Sequence, residues 1–314
     1  MPYAPKKQAY SARINAVTLG TGERAAVIGG ANAMPFHDFD APAPNQPRIA
    51  VEIADTGLPA NAPEGLSAYY AGCDTTVALA RRACEMPGAS ALCLRFEGAD
   101  PLGANATVEA CVALAKQVAV AIDLPLICMG CGNVEKDEAL LTALSEALQG
   151  ENALMLSAKE DNYRAVGAAA GIAYGQKVGA ESSVDINLAK QLNVLMTQIG
   201  VPSDAVCMNL GSACAGYGFE YLASTMERVR LAALSQNDAL LQMPVVTPVS
   251  TEAWAVKEAV APEEENPGWG PAEERGIDME ICTAVACLVS GSDMVILRHP
   301  AAVATVAGFI DSLT

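Results

Sequence analysis

The chain alternates between short apolar runs and longer stretches in which apolar residues recur every third or fourth position. The first pattern marks a buried strand and the second marks one buried face of a helix. The clearest helix is spelled by Val108, Cys111, Val112, Ala115, Val118, Ala119 and Ile122, after the strand-like run Ala91–Phe96. The pairing then repeats along the chain. Ile49–Ile53 precedes a helix capped by Asp74, and Leu126–Met129 precedes one that starts near Asn133 and ends at Gly150. Ala153–Ser157 leads to a helix capped by Asp161 and closed by Gly175. Val178–Val184 leads to one capped by Asp185, closed by Gly200 and stopped by Pro202. Ala205–Leu210 precedes the helix of Tyr221, Leu222, Met226, Val229 and Ala233. Val245–Val249 precedes the helix of Ile281, Cys282, Val285, Leu288 and Val289, and Met294–Leu297 precedes a last helix opened by Pro300. The caps are chemically sensible, because a short polar side chain accepts a free N–H at a helix start and glycine ends a helix without steric cost.

Eight such strand–helix units predict a (β/α)8 barrel, the TIM-barrel architecture, with a doubly wound open sheet as the alternative. No G-x-G-x-x-G follows the first strand, which counts against a dinucleotide site. Ahead of the units, Ile14–Leu19 and Arg24–Gly29 flank Gly20-Thr21-Gly22, a hairpin signal. Chain order places this hairpin as a plug for the bottom of the barrel. The predicted organisation is a hairpin segment over residues 1–30 and one barrel over 31–314.

One stretch breaks the rhythm. Between the strand at Val245 and the helix reaching Ala286, the pattern predicts a long polar loop rich in Pro, Gly and Glu. It carries both tryptophans of the chain, Trp254 and Trp269. Long loops in compact domains are usually functional or disordered, and two large aromatic rings argue against disorder. In a barrel this loop emerges at the C-terminal rim, so it is expected to cover a ligand, a partner or the barrel mouth.

Composition narrows the partners. A net charge of −17 with no basic stripe excludes nucleic acid as a natural partner and is compatible with a basic protein face. No run of about 18 uninterrupted apolar residues is present, so no membrane span is expected. The best candidate, Ala106 to Met129, is interrupted by Glu109, Lys116 and Asp123. The N-terminus lacks the apolar segment of a secretory signal, and with ten cysteines this predicts a reducing, cytoplasmic setting.

The chemistry of this fold sits at the C-terminal strand ends. They offer Glu52 and Asp55, Arg95 and Glu97, the Gly130–Asn133 turn, Ser157, Glu181 and Asp185, Asn209, Ser250 and Glu252, and Arg298 with His299. This carboxylate and amide set suits hydrogen bonding to the polar edge of a ligand. The lysine nearest a strand end, Lys159, is followed by acids, which disfavours Schiff-base chemistry. The two histidines, His37 and His299, do not supply the ligand set of a catalytic zinc. Cys128-Met-Gly-Cys131 is a lone C-x-x-C without a second pair at cluster spacing, and most cysteines fit apolar helix or strand faces. The small-residue run Leu210–Gly218 reads either as backbone that approaches a ligand or as a plain tight loop. No residue is assigned a catalytic or metal-ligating role.

Several longer motifs add up to a family resemblance. GGANAMPFHDFDAP, GCGNVEKDEALL, SAKEDNYRAVGAAAGIAYG, DINLAKQLNVL, VVTPVSTEAWAVKEA, NPGWGPAEERGI and MVILRHPAAV follow one another from Gly29 to Val303. Together they resemble the small subunit of the corrinoid iron–sulfur protein, the delta component of the acetyl-CoA decarbonylase/synthase system. The resemblance implies a barrel paired with a large subunit that carries an iron–sulfur cluster and holds most of the corrinoid (cobalamin). It also implies a pterin methyltransferase and CO dehydrogenase/acetyl-CoA synthase as further partners, in the reductive acetyl-CoA pathway. No iron–sulfur cluster is expected on this chain, which has no D-x-H-x-x-G corrinoid motif. The rim residues implied to face the cofactor are Asp185, Asn209, Glu252, Trp254, Trp269 and Arg298. The other reading is a methyltransferase in its own right, with Asp185 and Asn209 holding the amide edge of a pterin.

Overall fold

A computed structural model describes residues 6–59 and 61–314 of the chain. Two short strands, β1 (Ala16–Leu19) and β2 (Ala26–Gly29), pair antiparallel with Ala16 opposite Gly29. Eight parallel strands follow: β3 (Arg48–Ala54), β4 (Ala89–Arg95), β5 (Leu126–Met129), β6 (Leu154–Ala158), β7 (Lys177–Glu181), β8 (Val206–Asn209), β9 (Val246–Pro248) and β10 (Met294–Leu297). The helices are α1 (Glu64–Tyr69), α2 (Thr76–Cys84), α3 (Val108–Ala121), α4 (Val134–Ala147), α5 (Tyr163–Gly167), α6 (Ile186–Gln198), α7 (Phe219–Ser235), α8 (Val249–Ala253), α9 (Lys257–Val260), α10 (Ala272–Ser290) and α11 (Pro300–Leu313). Neighbouring strands run in the order β8-β7-β6-β5-β4-β3-β10-β9. The Met208–Val245 bridge closes the ring, and Met208 N–H donates to the Pro244 carbonyl at 2.8 Å. The architecture is a (β/α)8 barrel, as the repeated pattern predicts.

Strand side chains alternate between two cores because successive residues point to opposite faces. Ala50, Ala91, Cys93, Ile127, Leu154, Leu156, Cys207, Val246, Met294 and Ile296 fill the inside of the barrel. Val51, Leu92, Leu94, Cys128, Met155, Val178, Val206, Val295 and Leu297 belong to the larger core shared with the helices. In α3, the buried positions are Cys111, Ala115, Val118 and Ala119, on the face the sequence pattern marks.

The hairpin joins the inner core. Val17, Leu19 and Ile28 pack with the inward strand residues. Its turn is fastened to the loop before β6, at the N-terminal end of the strands. The Asn152 side chain donates to the Thr18 and Gly20 carbonyls at 2.8 and 3.0 Å. Gly20 must be glycine here: its φ is +74°, and a Cβ would meet the Arg24 carbonyl oxygen at 2.8 Å.

Three local expectations need correction. Thr75, not Asp74, caps α2 by accepting from Ala78 N–H, because the chain turns helical one residue later. The helix after β6 starts behind Asn162 rather than Asp161, and it passes into a six-residue π segment, Ala168–Ala173, that ends before Gly175. The largest difference lies between Val245 and Ala286, where a long polar loop is expected. The chain instead enters α8 directly from β9, continues through α9 and a 3-10 turn at Pro267–Trp269, and starts α10 at Ala272. The polar residues there are the solvent faces of short helices, and short helices carry too little periodicity to be read from sequence. Among the described residues no helix is long and apolar enough to cross a membrane.

Candidate functional site

Strand alternation brings Glu52, Arg95, Met129, Glu181, Asn209 and Pro248 inward at the C-terminal ends of their strands, with Arg298 just beyond β10. A cavity of 310 Å³ opens among them, lined notably by Arg95, Ser157, Lys159, Glu181, Asn209 and Glu252. Ser157 reaches it at the register shift between Leu156 and Ala158, where β6 departs from regular pairing with β7.

Glu52 is the electrostatic centre of the mouth. Its side chain is 1% exposed and meets Arg298 Nη2 at 2.7 Å and Arg95 Nε at 3.3 Å. Ser250 Oγ donates to it at 2.6 Å and Thr251 Oγ1 at 3.3 Å. Burial alone would raise its pKa, but the two guanidinium groups and the Ser250 hydroxyl hold it below the ordinary carboxylate value. Arg95 also pairs with Glu97, which in turn accepts from Thr56. The ion network therefore joins the ends of β3, β4 and β10, and the Ser250 and Thr251 hydroxyls tie it to the start of α8.

The other half of the mouth is held by hydrogen bonds, several of them to carboxylates, and by one ion pair. Asn209, 3% exposed, donates from Nδ2 to Ser157 Oγ at 2.9 Å and accepts from Gly211 N–H at 3.0 Å. Glu181 lies between Lys159 Nζ at 3.3 Å and Asn209 Nδ2 at 3.4 Å. Asp137, on the first turn of α4, folds back over the Gly130–Gly132 turn. Its carboxylate accepts from Cys131 N–H at 2.7 Å, Gly132 N–H at 2.9 Å and the Cys131 thiol at 3.3 Å. Glu252 stands at the solvent edge of the cavity, and partial burial raises its carboxyl pKa.

Cys128 and Cys131 do not face one another as a ligand pair. Cys128 lies in the outer core of β5, and burial pushes its thiol up to about 12. The Cys131 thiol, pushed up to about 11 by burial, donates to Asp137. Protonated thiols are poor ligands and nucleophiles. Among the described residues no group of three His, Cys, Asp or Glu is placed to hold a metal ion.

The six rim residues singled out from sequence fall into separate environments. Asn209 and Glu252 line the same cavity. Arg298 is beside it, bound to Glu52. Asp185 is exposed and spent on capping α6, where its Oδ1 accepts from Asn187 and Leu188 N–H at 2.7 and 3.1 Å. Replacing Asp185 by Ala is expected to destabilise the protein by about 1 kcal/mol through the lost cap, seen as a lower denaturation midpoint. A larger loss accompanied by loss of ligand binding would show that the carboxylate does more than cap.

Trp254 turns inward. Its ring stacks on His299 at 5.8 Å and touches Gly276 of α10, where a Cβ would meet the indole at 2.2 Å. Trp269 turns outward and is 43% exposed, with Lys257 and Arg275 over its ring at 6.0 and 5.7 Å. Two tryptophans of one stretch thus do opposite jobs.

Sequence reading misses Glu280. This α10 residue is fully buried, and its two oxygens accept the backbone N–H groups of Arg298 at 2.6 Å and His299 at 3.1 Å. Burial raises its carboxyl to about 7 despite those bonds. Trp254 turns its indole N–H toward the same carboxyl, short of strict hydrogen-bond geometry. His299 Nδ1 accepts from Ala301 N–H, so Nε2 carries the proton and donates to Glu273 at 3.0 Å. Glu273 also accepts from Gly65 N–H at 2.7 Å. In this way α10 fixes the end of β10, and through it Arg298. The available signal was an acid on the apolar face of a helix, four residues from Ala284 and seven from Cys287.

Comparison with known proteins decides the family. The family described as CO dehydrogenase/acetyl-CoA synthase delta subunit matches residues 16–306. This chain belongs to that delta subunit family. The acetyl-CoA decarbonylase/synthase complex subunit delta of Archaeoglobus fulgidus is 32% identical over 322 residues, covering 99% of this chain and 71% of the relative. The corresponding subunit of Methanopyrus kandleri is 32% identical over 291 residues, covering 91% of this chain and 70% of the relative. Among solved structures, Yersinia pestis dihydropteroate synthase with a pterine-sulfa conjugate superposes with a TM-score of 0.55 at 12% identity, covering 85% of this chain and 93% of that one. Dihydropteroate synthase of Xanthomonas albilineans with 4-aminobenzoic acid gives 0.53 at 15% identity, covering 95% and 98%. At such identities the likeness concerns the barrel fold of this delta-family chain and not its ligands.

Proposed function

We propose that this delta-family chain is the non-catalytic barrel subunit of a two-subunit corrinoid iron–sulfur methyl carrier. In this reading it helps enclose a corrinoid held mainly by the large subunit. It also helps dock the pterin methyltransferase and CO dehydrogenase/acetyl-CoA synthase, in the cytoplasm, within the reductive acetyl-CoA pathway. The observation that carries the reading is an aromatic ledge on the mouth side of the barrel. Tyr217, Tyr221, Val260 and Trp269 are 49%, 68%, 53% and 43% exposed. Tyr217 Oη donates to Glu258 Oε2 at 2.5 Å, which ties the β8–α7 loop to α9. Exposed rings gathered in one place mark a surface that another chain covers.

The mouth fits one face of such a cofactor. A cavity of 310 Å³ suits a drug-sized molecule at most, and a corrinoid exceeds it. When bound, the corrinoid supplies the methyl-accepting metal. This chain supplies a mouth braced by the Glu52 ion network and the Asn209–Ser157 hydrogen bond, with Glu252 and the Asn209 edge facing the cavity. It also supplies a wall that keeps water away.

The second reading is a stand-alone pterin-binding methyltransferase. Asn209 and Glu252 favour it, since both line the cavity. Asp185, the other group on which that reading relies, is engaged in capping α6. The discriminating experiment is methyl transfer from a methyltetrahydropterin to free cobalamin by this chain alone. A carrier subunit is expected to give no turnover above the uncatalysed rate.

Co-expression with the large corrinoid subunit is expected to yield a heterodimer that survives gel filtration at micromolar concentration. Replacing Trp269 by Ala is expected to weaken that assembly by roughly tenfold or more, with little change in melting temperature. If the wild-type subunits elute separately, the carrier reading fails. If the melting temperature collapses while affinity holds, Trp269 belongs to a structural flap.

A further inference from the structure

One side of the barrel carries no charge. From Ile281 to Ile310 the chain holds only two Asp, Glu, Lys or Arg residues, Asp293 and Arg298, although 18% of all residues are charged. Neither lies on a helix: Asp293 pairs with Arg230 ahead of β10, and Arg298 pairs with Glu52 at the mouth. The second half of α10 and nearly all of α11 are therefore uncharged on every face. These two helices pack side by side.

The inward face of α11 is buried through Ala302, Val303, Val306 and Ile310. Its outward face is Ala301, Ala304, Thr305 and Gly308, all exposed. A helix that is apolar all round is normally buried all round. On α10 the outward residues Cys282, Val285 and Val289 recur at the same helical spacing, and Val289 is 48% exposed.

Gly308 supplies a separate observation. It sits inside α11 with ordinary helical backbone, and a Cβ built on it would meet nothing within 4 Å. An exposed glycine weakens a helix relative to alanine. No contact or backbone angle within this chain calls for one, so the reason for it lies outside the chain, in a close approach from another molecule. A groove of 460 Å³ opens along the same stretch, lined among others by Pro47, Pro87, Gly88, Ala304, Ala307 and Gly308.

The face thus has valine knobs on α10 and a hollow on α11. We propose that it is the contact between two copies of this chain. Charge selects this occupant. A net charge of −17 keeps copies apart, so they can meet only where charge is missing, whereas a basic partner gains nothing from an uncharged face. Shape agrees with it. Both helices descend from the mouth, so a twofold axis running along them sets α10 of each copy against α11 of the other. Val285 and Val289 of one copy then enter the hollow at Ala304 and Gly308 of its partner, twice over, as an isologous contact requires. Both mouths stay open. The inference does not rest on the carrier reading, because the face lies on the side of the barrel and not at its mouth.

The test is sedimentation equilibrium of the full chain alone over a dilution series. The expected result is a reversible monomer–dimer equilibrium. Val289→Asp buries an unpaired charge in the contact and is expected to weaken dimerisation by about tenfold or more. Gly308→Leu fills the hollow without adding charge and is expected to weaken it to a similar degree. Since both positions face solvent in the single chain, the melting temperature of the monomer should hold. Leu102→Asp, which places the same charge on a 95% exposed leucine of the β4–α3 loop, should dimerise like wild type. A chain that stays monomeric at every concentration overturns the proposal, as does unchanged dimerisation in both face variants or equal weakening by Leu102→Asp. A monomeric chain whose Val289→Asp variant no longer binds the large corrinoid subunit would assign the face to that subunit, and overturns it as well.

Discussion

Replacing Glu52 by Ala is expected to destabilise the protein by about 3–5 kcal/mol, the range for removing one partner of a buried ion network. The size follows from what stays behind. Glu52 is 1% exposed, and the two arginines that converge on it are each 22% exposed. Without the carboxylate, two guanidinium groups face one another at the floor of the barrel mouth, and the Ser250 hydroxyl loses its acceptor. Arg95 retains Glu97, so Arg298 is the group left unpaired. Glu52→Gln keeps the shape and one acceptor and is expected to lose less than Ala, yet more than a surface substitution. The check is a chemical denaturation series, where the midpoint drops while the slope stays constant. A loss below about 1 kcal/mol, the scale of an exposed pair, would mean that the arginines swing into water and the network contributes little.

Stability is expected to decline from mildly acidic to mildly alkaline pH through Glu280. Its folded pKa of about 7 lies above the ordinary value of 4.5. The native state therefore holds a proton that the unfolded chain has released, and stability falls as pH rises through that window. A shift of this size corresponds to about 3 kcal/mol when fully expressed. Two neighbours act in the opposite sense. His299, held below its ordinary value by burial despite Glu273, favours the fold as pH rises past the range where an unfolded histidine loses its proton. Glu52, held below its ordinary value, contributes stability that is lost only as pH falls through its folded pKa. The decisive comparison is therefore between wild type and Glu280→Gln. The variant loses one acceptor for the Arg298 and His299 N–H groups, so its overall stability drops. Its midpoint should also lose the decline between pH 5 and 8 that Glu280 causes. An identical pH profile in the two proteins would mean that Glu280 ionises normally and that water reaches it.

Both residues lie on the path by which helix α10 holds the barrel mouth. Glu280 fixes the backbone at Arg298, and Arg298 fixes Glu52. A change inside α10 should then be felt at the mouth although no α10 side chain lines the 310 Å³ cavity. The same logic separates the tryptophans. Trp254 is wedged between Gly276 and His299 and is part of this support, whereas Trp269 is held over Lys257 and Arg275 and is free to meet a partner.

Much of this protein follows from the order of its residues alone. The eight strand–helix repeats give the barrel, because a period of two and a period of 3.6 are local properties that packing does not need to supply. The strand ends follow at once, and Glu52, Arg95, Ser157, Glu181, Asn209 and Arg298 do gather at the mouth. The small helices α8 and α9 are not legible, since four or five residues carry no periodicity and only their packing on α10 makes them helical. The fate of each polar side chain is not legible either. Asp185 reads from sequence as the cap of its helix, yet the same carboxylate also stands among the candidate ligand groups. Tertiary structure makes it a cap, because α6 begins there and offers two free N–H groups. Glu280 reads as a misplaced acid on an apolar helix face. Only the approach of β10 brings it the two backbone donors that justify its burial. Sequence periodicity determines where chain segments go. Which polar groups meet inside is decided by elements far apart in sequence, and that information exists only once the barrel has closed.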